Sequence, residues 1–206
     1  DEVIKRGAQV PFYLIGRPET LDAELLEALA AAGCFRIYLS AESGSQHILD
    51  AMNKVTKVGA IYRAAEMMRD AGIELGVFTM LGYPGEELPD IKATLRMLQR
   101  LEPAITLLSV AHPMRGTAFF DSVADSLTDE TGEQHGGRLG FQMRYPRSFY
   151  ELAQRHIWTA TGLRRKLRKR QFDADLVRLA LKYPVYRAAF EIFGRRPGSW
   201  PEATTD

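Results

Sequence analysis

The sequence predicts an α/β protein built from parallel βα units, and three observations predict it. Four short apolar runs, residues 9–15, 36–39, 74–81 and 105–110, alternate with segments of helical periodicity. The connections are short and carry glycine, proline or small polar residues where turns are needed. Every polar or charged group that looks chemically useful follows one of the four runs. Such a chain forms part of a barrel or of an open doubly wound sheet. In both, ligands bind outside the carboxyl ends of the strands.

Residues 9–15, QVPFYLI, read as the first strand, with Pro11 near its start, and exit into Gly16, Arg17 and Pro18. Thr20 is placed to cap a helix over residues 21–32, in which Leu21, Leu25, Leu29 and Ala32 mark one face. Asp22 and Glu24 favour its first turn and Gly33 stops it. The second strand, residues 36–39, leads into a small polar turn over residues 40–45. Ser43 and Gln46 have capping-box spacing for the helix behind it, which carries Ile48, Leu49 and Met52. Glu42, Ser43 and Gly44 therefore sit where a strand meets a helix N-terminus, whose unpaired N–H groups suit a carboxylate or phosphate.

A longer helix follows residues 53–57 and ends at Ala71 and Gly72, with Val58, Ile61, Ala65, Met68 and Ala71 as its buried stripe. The third strand, residues 74–81, runs into GYPGEE. Pro89, among Glu86, Glu87 and Asp90, starts a helix that buries Ile91, Leu95, Leu98 and Leu101 and stops at Pro103. The fourth strand, residues 105–110, exits into AHPMRGTAFF. The strand ends thus present Arg17, residues 42–45, residues 82–86 and residues 112–117 on one edge.

Residues 121–145 are polar and read as an exposed loop or lid, including the GEQHGG turn. From Pro146 the chain is helical: Ser148 is placed as a cap, with Phe149, Leu152, Ile157 and Trp158 facing inward. The run RRKLRKR, residues 164–170, reads as a solvated helix face anchored by Leu167 and Phe172. Helices over residues 173–182 and 185–193 are broken at Pro184, and the end frays from residue 194. The expected organisation is a βα region over residues 1–120, a polar loop over 121–145 and a helical extension over 146–206.

Of the 206 residues, 46% are hydrophobic and 26% charged, enough for a sizeable core, and the net charge of +1 gives no strong field for nucleic acid or membrane. No run reaches the ~18 apolar residues of a membrane span. The first ten residues lack the apolar core of a signal peptide. The one cysteine, Cys34, excludes an intrachain disulfide and a cysteine-rich metal cage, suits a reducing cytoplasm and reads as a small core residue. His47 and His135 carry little chemical claim, whereas His112, at a strand end, is a candidate substrate contact or proton shuttle. The absent initiator Met and the early first strand lead us to expect a piece of a longer polypeptide.

Three strings carry a family resemblance: ESGSQ with the following Leu49 and MNK (residues 42–54), GYPGE (82–86) and HPMRGT (112–117). In order and spacing they resemble the second half of the core of radical S-adenosylmethionine (radical SAM) enzymes, most closely the cobalamin-binding subgroup. The resemblance implies a partial parallel (β/α) barrel of about four βα units with a helical C-terminal extension. It implies that Glu42, Ser43, Gly44 and Ser45 line the S-adenosylmethionine pocket and that the Gly82–Pro84 turn lies against the adenine. It also implies that Arg17, with Lys54 a weaker candidate, meets the ligand's carboxylate. His112 stands where the family has an aromatic residue, and Arg115 where it often has a small one.

The cofactors implied are S-adenosylmethionine, a [4Fe–4S] cluster and cobalamin. The family's C-x₃-C-x₂-C is missing, and Cys34 cannot replace three thiolates, so the cluster ligands and the cobalamin domain are expected outside this chain. The chain as given is then expected to be inactive by itself. Its full-length form would cleave S-adenosylmethionine reductively and act on an organic substrate, by methyl transfer, cyclisation or oxidation. The implied partners are the missing N-terminal half, a small-molecule or lipid-like substrate and an electron donor such as flavodoxin or ferredoxin; nucleic acid is not among them. Two other readings stand beside this one: a tRNA-modifying methylthiotransferase relative whose basic helix binds RNA, and a non-catalytic barrel-fragment module whose exposed β edge is capped by a partner. A cluster-free methyltransferase lacks support, because no Gly-rich Rossmann turn is present.

Overall fold

Four parallel strands lie side by side in chain order: β1 (Phe12–Gly16), β2 (Cys34–Glu42), β3 (Glu74–Leu81) and β4 (Ile105–Val110). The computed structural model describes residues 2–128 and 140–195. Between the strands run α2 (Ala23–Ala31), α3 (Gln46–Ala51), α4 (Val58–Asp70) and α5 (Leu88–Leu101), after a short α1 (Glu2–Lys5). Beyond β4 come α6 (Ala118–Ser122), a two-stranded ladder of β5 (Leu127–Thr128) with β6 (Gly140–Phe141), and two long helices, α7 (Arg147–Arg168) and α8 (Ala174–Gly194). The four-stranded sheet is open, with β1 and β4 at its edges. This is the predicted α/β architecture, as a partial barrel that does not close.

The register explains why one face is core. Gly16, Leu39, Val77 and Thr106 lie level across the sheet, as do Leu14, Ile37 and Leu75. Residues level in register share a face. These rows meet Leu26, Ile61, Met68, Ile91 and Leu98 from the covering helices, all fully buried. The opposite face carries Ile15, Tyr38, Gly76 and Ile105 in one row. There Tyr38 packs edge-on to Tyr13 and against Phe78, at centroid distances of 5.7 and 5.4 Å. A Cβ on Gly76 would lie 2.4 Å from Tyr38 Cδ1, so glycine is what lets this ring lie across β3.

The third and fourth strands match the sequence reading residue for residue. Other boundaries differ for physical reasons. The α2 cap is Asp22, whose carboxylate accepts from Leu25 N at 2.8 Å; Thr20 instead sits in the 3-10 turn before it and donates to the Arg17 carbonyl. Strand β2 runs from Cys34 to Glu42, well past residues 36–39, because the polar residues after Leu39 still pair with β3. Residues 121–145 are not simply an exposed loop, since Val123, Phe141 and Tyr145 are buried; His135 and the whole GEQHGG turn lie outside the described residues. Pro146, not Ser148, precedes α7. Pro184 does not break α8, which continues through it. The proline is exposed, so the carbonyl that loses its N–H partner is left on the wet side of the helix. Trp158, expected to face inward, is half-exposed, and Leu167 and Phe172, expected to anchor the basic face, are exposed.

The two long helices share the sheet's core. Phe149, Tyr150, Ala153, Ile157 and Phe190 belong to the same buried cluster as Val77, Leu81 and Ile91. Phe149 stacks on Phe190 at 5.6 Å, and His156 is buried between Tyr183 and Phe190. Burial, with Arg187 adding to it, lowers the His156 pKa and favours a neutral imidazole. Lys166 pairs with Asp173 at 2.6 Å, Arg164 and Arg168 pair with Glu102, and Arg165 donates to the Ala104 carbonyl. Tyr145 fastens the extension: its hydroxyl accepts from Leu88 N and donates to the Gly194 carbonyl, each at 3.2 Å, joining the start of α5 to the end of α8. Tyr145→Phe leaves both buried groups unpaired and should cost about 1–3 kcal/mol. Urea midpoints of the two proteins would measure it.

Candidate functional site

The carboxyl end of β2 is irregular. The register shifts between Ser40 and Glu42, and Glu42 takes a left-handed φ of 56°. That conformation is uncommon for a side chain bearing a Cβ and recurs where a strand end is shaped for a task. It leaves the Glu42 carboxylate partly exposed, 3.2 Å from Lys54 Nζ.

The next three residues turn the other way. Ser43 is fully buried, and its hydroxyl lies 3.2 Å from Thr94 Oγ1 and accepts from Ser45 N. Gly44 N donates to Thr94 Oγ1 at 2.9 Å, and Ser45 Oγ donates to Asp90 Oδ1 at 2.5 Å. A Cβ on Gly44 would sit 2.5 Å from the Ala93 carbonyl oxygen, which is rigid helix backbone. The small residues of this turn are therefore the joint that lays it on α5. The expected capping box of Ser43 with Gln46 is absent: Ser45 precedes α3 without a side-chain cap, and Gln46 accepts from Val58 N and donates to Asp50. A true capping box stands at Glu87 and Asp90 on α5.

At the end of β3, Gly82 has a φ of 83° and donates its N–H to Glu86 Oε2 at 2.6 Å. Met143 and the Tyr150 ring close over it, so a Cβ there would meet Met143 Sδ at 3.1 Å. Pro84 and Gly85 are exposed. Glu86 is fully buried and its second oxygen has no protein partner. Burial pushes its pKa up to about 8, with Asp90 adding and the Gly82 N–H opposing, so at neutral pH the group keeps its proton. The Tyr150 hydroxyl beside it is also buried without a partner, and its pKa is raised by burial and then by Glu86. Sequence reasoning took Glu86 for a helix-start charge. The signal it passed over is that Glu87 and Asp90 already fill that role.

Arg17 follows β1, exposed, 3.8 Å from the Glu19 carboxylate. His112 follows β4, half-buried, next to Ala111, whose N–H donates to the Leu81 carbonyl. The fold therefore places Arg17, Glu42 with Lys54, the Gly82–Pro84 turn and His112 at the carboxyl ends of successive strands. Ser43, Gly44, Ser45 and Gly82 make internal contacts that fix the turns. Glu42, Lys54, Arg17 and His112 are the polar side chains left at least partly exposed at these strand ends. Cys34 is buried at the opposite end of β2, where burial raises its pKa and keeps it a thiol. No group of three or more His, Cys, Asp or Glu able to hold a metal occurs among the described residues. An iron–sulfur cluster does not fit the side chains present.

The buried acid makes a testable difference. Glu86 is protonated in the fold up to about pH 8, whereas its ordinary pKa is 4.5. Between those values the unfolded chain has lost a proton that the folded one retains, so stability falls as pH rises. Glu86→Gln, which keeps the shape without the acid, should abolish that slope and be the more stable protein at pH 8. Urea midpoints of both proteins at pH 5 and pH 8 would show it.

Comparison with known proteins agrees with this architecture. The model of the Radical SAM superfamily matches residues 3–98. A tRNA-2-methylthio-N(6)-dimethylallyladenosine synthase of Treponema denticola is 29% identical over 133 residues, which is 62% of this chain and 29% of that protein. Among solved structures, the radical S-adenosylmethionine methyltransferase TsrM of Kitasatospora setae aligns with a TM-score of 0.57 at 19% identity, over 64% of this chain and 29% of its own. The cobalamin-dependent S-adenosylmethionine radical enzyme OxsB aligns with a TM-score of 0.61 at 14% identity, over 94% and 35%. The chain thus spans about a third or less of the length of these relatives. Residues 3–98, with motifs at the ends of successive parallel strands, thus match the Radical SAM superfamily.

Proposed function

We propose that this chain forms the S-adenosylmethionine- and substrate-facing part of a radical SAM enzyme whose cluster ligands lie outside these 206 residues. The observation that carries the reading is the placement of Arg17, the Glu42–Lys54 pair and the exposed Pro84–Gly85 turn at the carboxyl ends of successive parallel strands. Glu42 would accept hydrogen bonds from the ribose hydroxyls or the ammonium group of the ligand, oriented by Lys54. Arg17 would pair with the ligand's carboxylate, and the Pro84–Gly85 backbone would border the adenine. Ser43, Gly44, Ser45 and Gly82 are positioning residues that hold these loops against α5 and α7. His112 would contact the substrate or carry a proton. Bound S-adenosylmethionine supplies the adenosyl or methyl group for the reaction.

Methyl transfer to a small or lipid-like organic substrate, with cobalamin as carrier, is the reading we adopt. The methyltransferase TsrM, solved with cobalamin bound, and the cobalamin-dependent enzyme OxsB both resemble this chain in fold. A one-electron donor such as flavodoxin or ferredoxin would complete the system. The similarity to the Treponema denticola synthase supports a second reading, modification of tRNA. Retention of tRNA by the protein, lost as salt rises, would favour it.

The binding assignment is testable in the full-length protein, reconstituted anaerobically. Glu42→Gln and Arg17→Ala should each weaken S-adenosylmethionine binding about tenfold, or about 1.4 kcal/mol, with unchanged unfolding midpoints. Equilibrium dialysis with labelled ligand measures this, and unaltered affinity in both variants would remove the assignment.

A further inference from the structure

Helix α8 is apolar on two sides. One side docks on α7: Leu179 lies over Gly162, Tyr183 stacks on His156 and Phe190 on Phe149. A helix that buries one face ordinarily turns a polar face to water. Instead Val177, Leu181, Val185 and Ile192 fall on one stripe by helical spacing, roughly opposite α7, and are 58%, 70%, 65% and 59% exposed. Phe172, in the turn leading into α8, is 76% exposed.

The surroundings of the stripe are cationic. Residues 164–187 contain nine lysines and arginines against two aspartates. Glu102 and Asp173 engage Arg164, Arg168 and Lys166. Arg178 and Lys182, one turn apart on α8, lie between the stripe and the α7 contact. With Arg155, Trp158, Lys166 and Tyr186 they line a cleft of about 330 Å³ between the two helices. Trp158 is half-exposed there. An aliphatic stripe bordered by cations and a tryptophan is the composition of a helix lying in a lipid headgroup layer. A second copy of this face would bring like charges together. Nucleic acid would leave the aliphatic stripe in water, since aliphatic side chains offer bases nothing to stack on. No described helix is long and apolar enough to cross a membrane, so the association would be peripheral.

We propose that α8 and the basic end of α7 rest on an anionic lipid surface. Phe172, Val177, Leu181, Val185 and Ile192 enter the headgroup layer, while Arg178 and Lys182 meet lipid phosphates. The proposal does not depend on the cofactor assignment, because the surface lies on the extension and not on the sheet edge.

Co-sedimentation of the full-length protein with vesicles tests it, using phosphatidylcholine alone or phosphatidylcholine mixed with phosphatidylglycerol. The protein should pellet with the mixed vesicles at low salt and stay in solution with phosphatidylcholine. The double variant Leu181→Glu/Val185→Glu should lower the partition coefficient at least tenfold, and Arg178→Glu/Lys182→Glu should do the same. Both pairs are exposed, and unchanged circular dichroism would confirm that the fold is retained. Absence of pelleting, equal binding to both vesicles, or an unaltered partition in Leu181→Glu/Val185→Glu would overturn the proposal. A dimer that becomes monomeric in that variant, without vesicle binding by either protein, would assign the face to a second copy instead. Salt-sensitive tRNA retention lost only in Arg178→Glu/Lys182→Glu, again without vesicle binding, would assign it to nucleic acid.

Discussion

The contact on which most of this structure depends is the close approach of the turn after β2 to helix α5. Gly44 has no room for a side chain because the Ala93 carbonyl occupies the space. Thr94 accepts from its N–H and bonds to Ser43, while Asp90 accepts from Ser45 with one oxygen and from Glu87 N with the other. One carboxylate thus ties the second βα turn to the start of the third crossover helix. Moving this joint would move Glu42, whose placement is fixed by the residue that follows it. The polarity of the turn is therefore structural, and its effect on a ligand would be exerted through the one carboxylate it leaves outside.

The same logic operates at the end of β3. The turn is closed by Gly82 and Glu86, and the closure is covered by Met143 and Tyr150 from the C-terminal part of the chain. A carboxyl group enclosed in this way remains neutral because ionising it would strand a charge away from water. The helical extension is then more than an appendage: it supplies the apolar lid over a strand-end turn and is anchored through Tyr145 to both α5 and α8. The chain's two chemical regions also lie apart. The strand edge carries the groups suited to a polar zwitterionic ligand, and the outer surface of α8 carries those suited to an apolar and anionic surface.

The sequence by itself determined what depends on local periodicity. The strands Glu74–Leu81 and Ile105–Val110 were legible because their apolar runs are bounded by glycine, proline and charge. The parallel order follows from the helices between them. The strand ends, and the family whose model residues 3–98 match, were legible from the strings that occupy those ends. Tertiary structure decided what lies on either side of each side chain. Whether Ser43 faces a ligand or Thr94, and whether Glu86 is a surface charge or a buried acid, depends on partners 51 residues away in the first case and on Tyr150 in the second. Pro184 stays within a helix because its exposed side can be satisfied by water, which residue type alone does not specify. Periodicity reports which residues of α8 are apolar, but only its docking on α7 leaves Val177, Leu181, Val185 and Ile192 without a covering layer. Local sequence encodes the element; the identity of the surface packed against it comes from distant parts of the chain.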